Sequence, residues 1–201
     1  LTVSGFYKDI FGQLNTDLLQ IGPATFEYWA NSDYGRARGL EMQLDKRYGG
    51  YVSGYVNYQY AFAYGKSSSE ASNYYNRAVE GGDIPIQEFP LDWDVRHQIT
   101  SNLDLRIPEA EHPKLFGFKL PDAWSINVIW RYNSGFAFTP DGSYPGQQLI
   151  VGENPLTNSK RMPASSSVDI RFNKDFKIWK LSYSIQAWVT NVFDQKDVIT
   201  V

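Results

Sequence analysis

The chain has 201 residues with 19 Lys and Arg against 22 Asp and Glu, and its net charge of -3 supplies no basic field of the kind that gathers nucleic acid. Cys is absent, which removes disulfides, thiolate metal ligands and cysteine nucleophiles together. There are 14 Tyr, 12 Phe and 6 Trp, yet mean hydropathy is -0.42 and nowhere do about 18 apolar residues run together, so a helical membrane span is excluded. Strands that alternate apolar and polar residues combine low mean hydropathy with many aromatics, and the composition fits that case.

The chain opens directly in a strand-like run, LTVSGFYKD, with no cationic and apolar leader ahead of it. Period-two patterning then predicts seven strands, at about 2–12, 25–47, 51–64, 95–107, 123–138, 165–177 and 180–193. In the second, Leu40, Met42 and Leu44 oppose Glu41, Gln43, Asp45 and Arg47. In the third, Val52, Val56, Tyr58, Tyr60, Phe62 and Tyr64 oppose Ser53, Asn57, Gln59 and Ala61, with Tyr55 as the exception. Ile99, Leu103, Leu105 and Ile107 then oppose Thr100, Asn102, Asp104 and Arg106. In the fifth strand Trp124, Ile126, Val128, Trp130 and Tyr132 oppose Ser125, Asn127, Arg131 and Asn133. The last two set Val168, Ile170, Phe172 and Phe176 against Asp169, Arg171, Asn173 and Asp175, and Leu181, Tyr183, Ile185, Ala187 and Val189 against Ser182, Ser184, Gln186 and Thr190.

Strands of a soluble sandwich usually run about 5 to 6 residues. These are roughly twice as long, and about 9 to 11 residues is what a tilted strand needs to cross a bilayer. The expected fold is therefore all-β, an antiparallel transmembrane β-barrel wall with its apolar face on lipid. Its polar face, with Glu41, Asp45, Arg47, Asp104, Arg106, Arg131, Asp169 and Arg171, is expected to line a wet or plugged lumen. Tight links at Tyr48-Gly49-Gly50 and Lys177-Ile178-Trp179 alternate with long ones at 65–94 and 139–164, as short periplasmic turns alternate with external loops. The link 108–122 is long on the short-turn side, so Leu115, Phe116 and Phe118 are expected to fold against the rim or a neighbour. Trp29, Tyr48, Trp93, Trp124 and Trp179 fall near strand ends, where amphipathic rings suit the headgroup level and also suit a soluble core.

Chemistry is sparse. The two histidines, His97 and His112, have no metal-site spacing. His97 lies beside Asp92, Asp94 and Arg96, which reads as a charged strand entrance before it reads as an acid–histidine pair. Glu80, Asp83 and Glu88 flank Gly81 and Gly82 without the spacing of a calcium loop, and a solvated loop is the expectation. No catalytic residue, cofactor or metal is expected. Ligand contact, if any, falls to aromatics of the long loops, namely Tyr74, Tyr75, Phe89, Trp93, Phe136, Phe138 and Tyr144; packing of the loops onto the barrel mouth competes with that role.

Four segments, YGRARGLEMQLDKRYGG, LDWDVRHQITSNLDLRIP, WSINVIWRYNSGFAFTP and VTNVFDQKDV, resemble in order the C-terminal barrel of TonB-dependent outer-membrane receptors. The resemblance covers nearly the whole chain. It implies a 22-stranded barrel filled by a plug, in the outer membrane of a Gram-negative bacterium, importing a metal chelate, cobalamin or a glycan with energy from an inner-membrane TonB complex. Residues 1–201 match roughly the last third of such a wall, with no plug, no TonB-binding segment and no terminal aromatic strand among them. The expected partners are outer-membrane lipid, the remainder of the barrel and its plug, and TonB through that plug, with no nucleic acid. Two other roles stand beside import: a truncated barrel held as a structural or interaction subunit of a larger outer-membrane assembly, and a small self-contained barrel, porin-like or enzymatic.

Overall fold

A computed structural model describes residues 1–74, 87–140 and 157–196. Thirteen elements follow in chain order. They are β1 (Thr2–Ile21), β2 (Ala24–Gly49), β3 (Val52–Gly65), the single turn α1 (Ser72–Tyr74), β4 (Phe89–Pro90), β5 (His97–Ile107), β6 (Lys114–Leu115), β7 (Phe118–Lys119), β8 (Trp124–Asn133), β9 (Ala137–Phe138), β10 (Lys160–Arg161), β11 (Ser165–Ile178) and β12 (Leu181–Val189). The long strands form one antiparallel sheet in the order β1-β2-β3-β5-β8-β11-β12, with β4 pairing off β3. Successive long strands are therefore neighbours in space, a meander with hairpin connections. The sheet is open among the described residues, with β1 and β12 at its edges. All seven expected strands are present.

Opposed residues in an antiparallel pair share a face, so the register shows what the alternation builds. Leu103 opposes Val128, Val128 opposes Ile170, and Ile170 opposes Val189, which makes one apolar row across four strands. Leu105, Ile126, Phe172 and Ala187 make the next. The same side continues through β3 and β2, where Leu105 opposes Val52, Met42 opposes Tyr58 and Leu44 opposes Val56. Every apolar stripe thus falls on one side of one sheet. The other side carries the polar residues, tied across strands by Asn127 to Asn102 (2.6 Å), Arg131 to Asp169 (2.9 Å) and Ser184 to Asn173 (2.8 Å). Tyr55 stands on that polar side, opposite Asp45 and Asn102.

Nothing described packs over the apolar side. Among the described residues the buried hydrophobic ones are Ala63, Leu91, Val95, Ile107 and Ala137, whereas Leu40, Leu44, Leu103, Tyr183, Ile185 and Val189 are exposed and Val56, Val128 and Ile170 only half-buried. Charged residues also stand on this side: the register places Arg36, Arg38 and Lys46 of β2 there, opposite Tyr64, Phe62 and Gly54, and in β11 Lys174, opposite Trp124 and Ile185. The Lys174 ammonium runs to the end of the sheet and donates to the Asp122 carbonyl, a charged head leaving an apolar surface along its own stem.

The tight turns 50–51 and 179–180 lie at the same end of the sheet as the link 108–123. Trp179, at the tip of one, is fully exposed and adopts φ 58, a left-handed backbone unusual for a bulky ring. The link carries a miniature hairpin, β6–β7, and is fastened to the sheet by Ala123 N–H on Pro108 O (3.1 Å) and Trp124 Nε1 on Pro121 O (2.8 Å). Phe116 and Phe118 stand 92% and 77% exposed, so of the two expected outcomes, the rim or a neighbour, the rim among the described residues does not cover them. Leu115's side chain lies outside the described residues.

The first hairpin departs most from expectation. Strand β1 continues to Ile21 instead of stopping near residue 12, and beyond the Gly35–Gly65 pair β2 has β1 as its one strand partner among the described residues. Residues 24–34 thus carry a two-stranded ribbon about 35 Å past the rest of the sheet, at roughly 3.3 Å per residue. Two register shifts, at Phe11/Gln13 and Gln13/Asn15, bend it.

The link 108–123 gives a pH test. The Asp122 carboxylate accepts from the Ala110 amide (3.0 Å) and faces Lys174 (3.5 Å); the amide bond first and the lysine second hold its pKa below the ordinary aspartate value. A carboxyl depressed in the folded state stabilises it above the unfolded pKa of about 3.9, and that contribution disappears as pH falls through the lower folded value. Hydrogen exchange is expected to show Ala110 protected at neutral pH and losing protection below about pH 4, with Asp122→Asn removing the pH dependence. Protection that persists unchanged into strong acid contradicts the assignment.

Candidate functional site

The end of the sheet opposite the tight turns holds two locks, each made where a strand pairing fails. Strand β5 begins at His97 opposite Tyr60, and β4 ends at Pro90 opposite Tyr64. Between them β3 has no regular neighbour on the side away from β2, and its backbone groups there need other partners. Residues 91–96 supply them: Ala61 N–H donates to Arg96 O (3.1 Å), Leu91 N–H to Ala63 O (3.0 Å), and Ala63 N–H to Asp94 Oδ1 (2.7 Å).

Asp94 is fully buried, and a buried carboxylate is tolerated only when paired. Arg161 of β10 pairs with Asp94 Oδ2 and also donates through Nη1 to the Asp94 carbonyl (2.7 Å). Arg96 approaches the same carboxylate at 3.2 Å, lies 4.0 Å over the Phe62 ring and donates to Tyr64 Oη (2.9 Å). Asn158 adds Nδ2 bonds to Pro90 O and Asp92 Oδ1, both 2.7 Å. Gly135, at φ 86, lies so close to Met162 that a Cβ there would stand 1.9 Å from its carbonyl oxygen. Two loops 67 residues apart are thus joined through one carboxylate.

The second lock sits in the bent ribbon. Asp33, buried, accepts from Asn15 Nδ2 (2.9 Å), from the Ser67 hydroxyl and from the Tyr34 amide (2.8 Å). Asn73 donates its backbone N–H to Asn15 Oδ1 (3.4 Å) and its Nδ2 to Thr16 O (3.1 Å). Segment 66–74, with its turn α1, is thereby laid across the ribbon.

The expected ligand-facing aromatics divide between these locks. Phe89, Trp93, Phe136 and Phe138 belong to the segments that the Asp94 lock joins, with Trp93 and Phe136 about half exposed. Tyr74 belongs to the other lock, where it borders a cavity of 350 Å³ with Trp29. Tyr75 and Tyr144 lie outside the described residues, as do Glu80 and Asp83. Glu88 forms an ion pair with Arg36 (2.9 Å). His97 meets neither Asp92 nor Asp94: its Nδ1 pairs with Tyr58 Oη (2.9 Å) and its ring stacks 4.9 Å from Tyr60. His112 donates to the Leu120 carbonyl (3.3 Å). Among the described residues no three or more His, Asp and Glu side chains gather as a metal site. Sequence reading missed Asn15, Asp33, Asn158 and Arg161, whose roles depend on contacts across many residues. No family model and no curated protein matches the chain.

The Asp94 lock makes a direct prediction. Removing one partner of a buried pair strands the others, so Asp94→Ala is expected to cost about 3–5 kcal/mol in urea unfolding, with Asp94→Asn, which keeps an acceptor for Ala63, costing less. A loss below about 1 kcal/mol, the worth of a surface pair, contradicts the lock.

Proposed function

We propose that this sheet is part of the wall of an outer-membrane β-barrel, the C-terminal portion of a TonB-dependent receptor that imports a scarce nutrient. The observation that carries the barrel reading is the apolar face, which spans seven long strands and has no described protein over it. Lipid is the solvent that such a face fits. Strand β8, of 10 residues, measures about 33 Å along its axis and about 25 Å once tilted by roughly 40°, which is the height of the apolar band of such barrels. Trp124 and Tyr132 bound that band in β8, with Ile126 and Val128 between them.

The receptor reading adds the family resemblance and the architecture at the two ends. The tight turns 50–51 and 179–180 lie at one end, with the long link 108–123 as the exception there, and the connections 66–96 and 134–164, joined by Arg161 on Asp94, start and finish at the other, in the manner of periplasmic turns and external loops. Edge strands β1 and β12 expose backbone donors and acceptors that lipid cannot satisfy, so the proposal requires further strands on both sides, the remainder of a 22-stranded wall around a plug. The polar face then looks inward toward that plug, and energy arrives through TonB.

Folding into lipid vesicles tests the barrel. Val128→Arg, at the middle of the apolar band, is expected to lose about 2–4 kcal/mol of stability, and Asn127→Arg, on the opposite face, far less. Equal costs at the two positions overturn the assignment of faces. The mass of the native polypeptide in its source membrane tests the receptor: several times 23.0 kDa supports it, and a mass near 23.0 kDa contradicts it.

A further inference from the structure

The ribbon of β1 and β2 projects beyond the sheet and holds a cavity that no part of the barrel wall needs. Its lining is Thr16, Glu27, Tyr28, Trp29, Ala71 and Tyr74, and its volume is 350 Å³, within the range of small-molecule sites. Thr16 and Trp29 are directly opposed residues, so they share a face of the ribbon, and Glu27, two residues before Trp29, shares it too. Ala71 and Tyr74 come from the segment that Asn73 fastens to Asn15 and Thr16. The walls are thus held by a buried polar network and not left to loop chance.

Two features point to a ligand. Trp29 and Tyr74 are 57% and 42% exposed, although both stand on an ordered shelf. Thr16 is 7% exposed, and its hydroxyl oxygen is buried with no hydrogen-bond partner among the described residues. A buried hydroxyl without a partner is costly, and a site that supplies one is the natural relief.

We infer that this shelf binds a pyranose ring of a soluble, neutral saccharide, with the apolar ring face on Trp29 and Tyr74 and hydroxyl groups on Glu27 and Thr16. Among the described residues the lining has one carboxylate and no cationic side chain, which disfavours an anionic ligand. An aromatic shelf beside a carboxylate also suits a quaternary ammonium, but such a cation has no hydrogen-bonding group for Thr16. A sugar has both an apolar face and hydroxyls on its edge. Trp29 lies about 20 Å past the last β2–β3 pair, which sets the shelf away from any lipid along the wall and toward solutes. The inference rests on the import reading above and names the substrate class for it.

The test is titration of the native polypeptide that carries this sheet, purified from its membrane in detergent, with maltose, cellobiose and chitobiose, and with choline as the competing class, read by tryptophan fluorescence and calorimetry. At least one saccharide is expected to bind and choline is not. Trp29→Ala is expected to abolish binding. Thr16→Val keeps the shape and removes only an unpartnered hydroxyl, so the protein should fold as before and bind about tenfold more weakly. No binding by any of the three saccharides, binding of choline in their place, or unchanged affinity in Thr16→Val each overturns the inference. Membrane insertion is measured separately. Insertion without saccharide binding sinks only this inference, and saccharide binding without insertion sinks only the barrel reading.

Discussion

An apolar sheet face without a covering layer is the constraint on which this molecule depends. At about 25 cal/mol per Å² of apolar surface, leaving such a face in water forfeits most of what ordinarily stabilises a fold. A soluble protein of this design would lay helices or a second sheet across Leu103, Val128, Ile170 and Val189. Here that row is flanked on the same side by further apolar rows and by rings, while the reverse side is bonded polar group to polar group across the strands. In the barrel that we propose, lipid lies against one side and an aqueous or polar interior against the other. The same solvent forbids open strand edges, which is why β1 and β12 call for neighbours.

The wall was legible because its signal is local. Alternation over ten residues fixes which side each residue takes, and seven alternating runs appear as seven strands with little change of boundary in β3, β5 and β11, whereas β8 ends at Asn133 instead of near 138 and Ala137–Phe138 pairs separately with β10. What escaped was the ribbon, where Gly12 at φ 68 and the two register shifts change the parity of the alternation, so that LNTDLLQIGP no longer reads as period two. A reader of side-chain parity stops at the bulge, although the backbone pairing goes on to Ile21. Phe116 and Phe118 escaped for a different reason: apolarity suggests burial but does not say against what.

The locks were half legible. LDWDVRH announced a charged entrance, and the structure shows why: Asp94 completes the ladder where β3 loses its neighbour. Its partner Arg161 was invisible, because no local pattern joins residues so far apart in the chain. Tyr74 and Trp29 were each noticed, one as a loop aromatic and one as an interface ring, yet only the fold brings them to one cavity. The result is a division of labour within one chain. A regular sheet, read easily, supports irregular loops that are tied down by buried Asp, Asn and Arg side chains, and the proposed recognition site lies among those loops.

The absence of cysteine allows the central claim to be tested directly. Single cysteines placed at successive positions from 125 to 130 can each carry a nitroxide in lipid vesicles, and collision with dissolved oxygen can be compared with collision with a water-soluble nickel chelate. The account predicts alternation: labels at 126, 128 and 130 meet oxygen, and labels at 125, 127 and 129 do not follow them into lipid. Uniform access to the chelate on both faces, or protection of 126, 128 and 130 from both agents, would mean that the apolar face lies in water or inside a protein core, and the barrel account would fail.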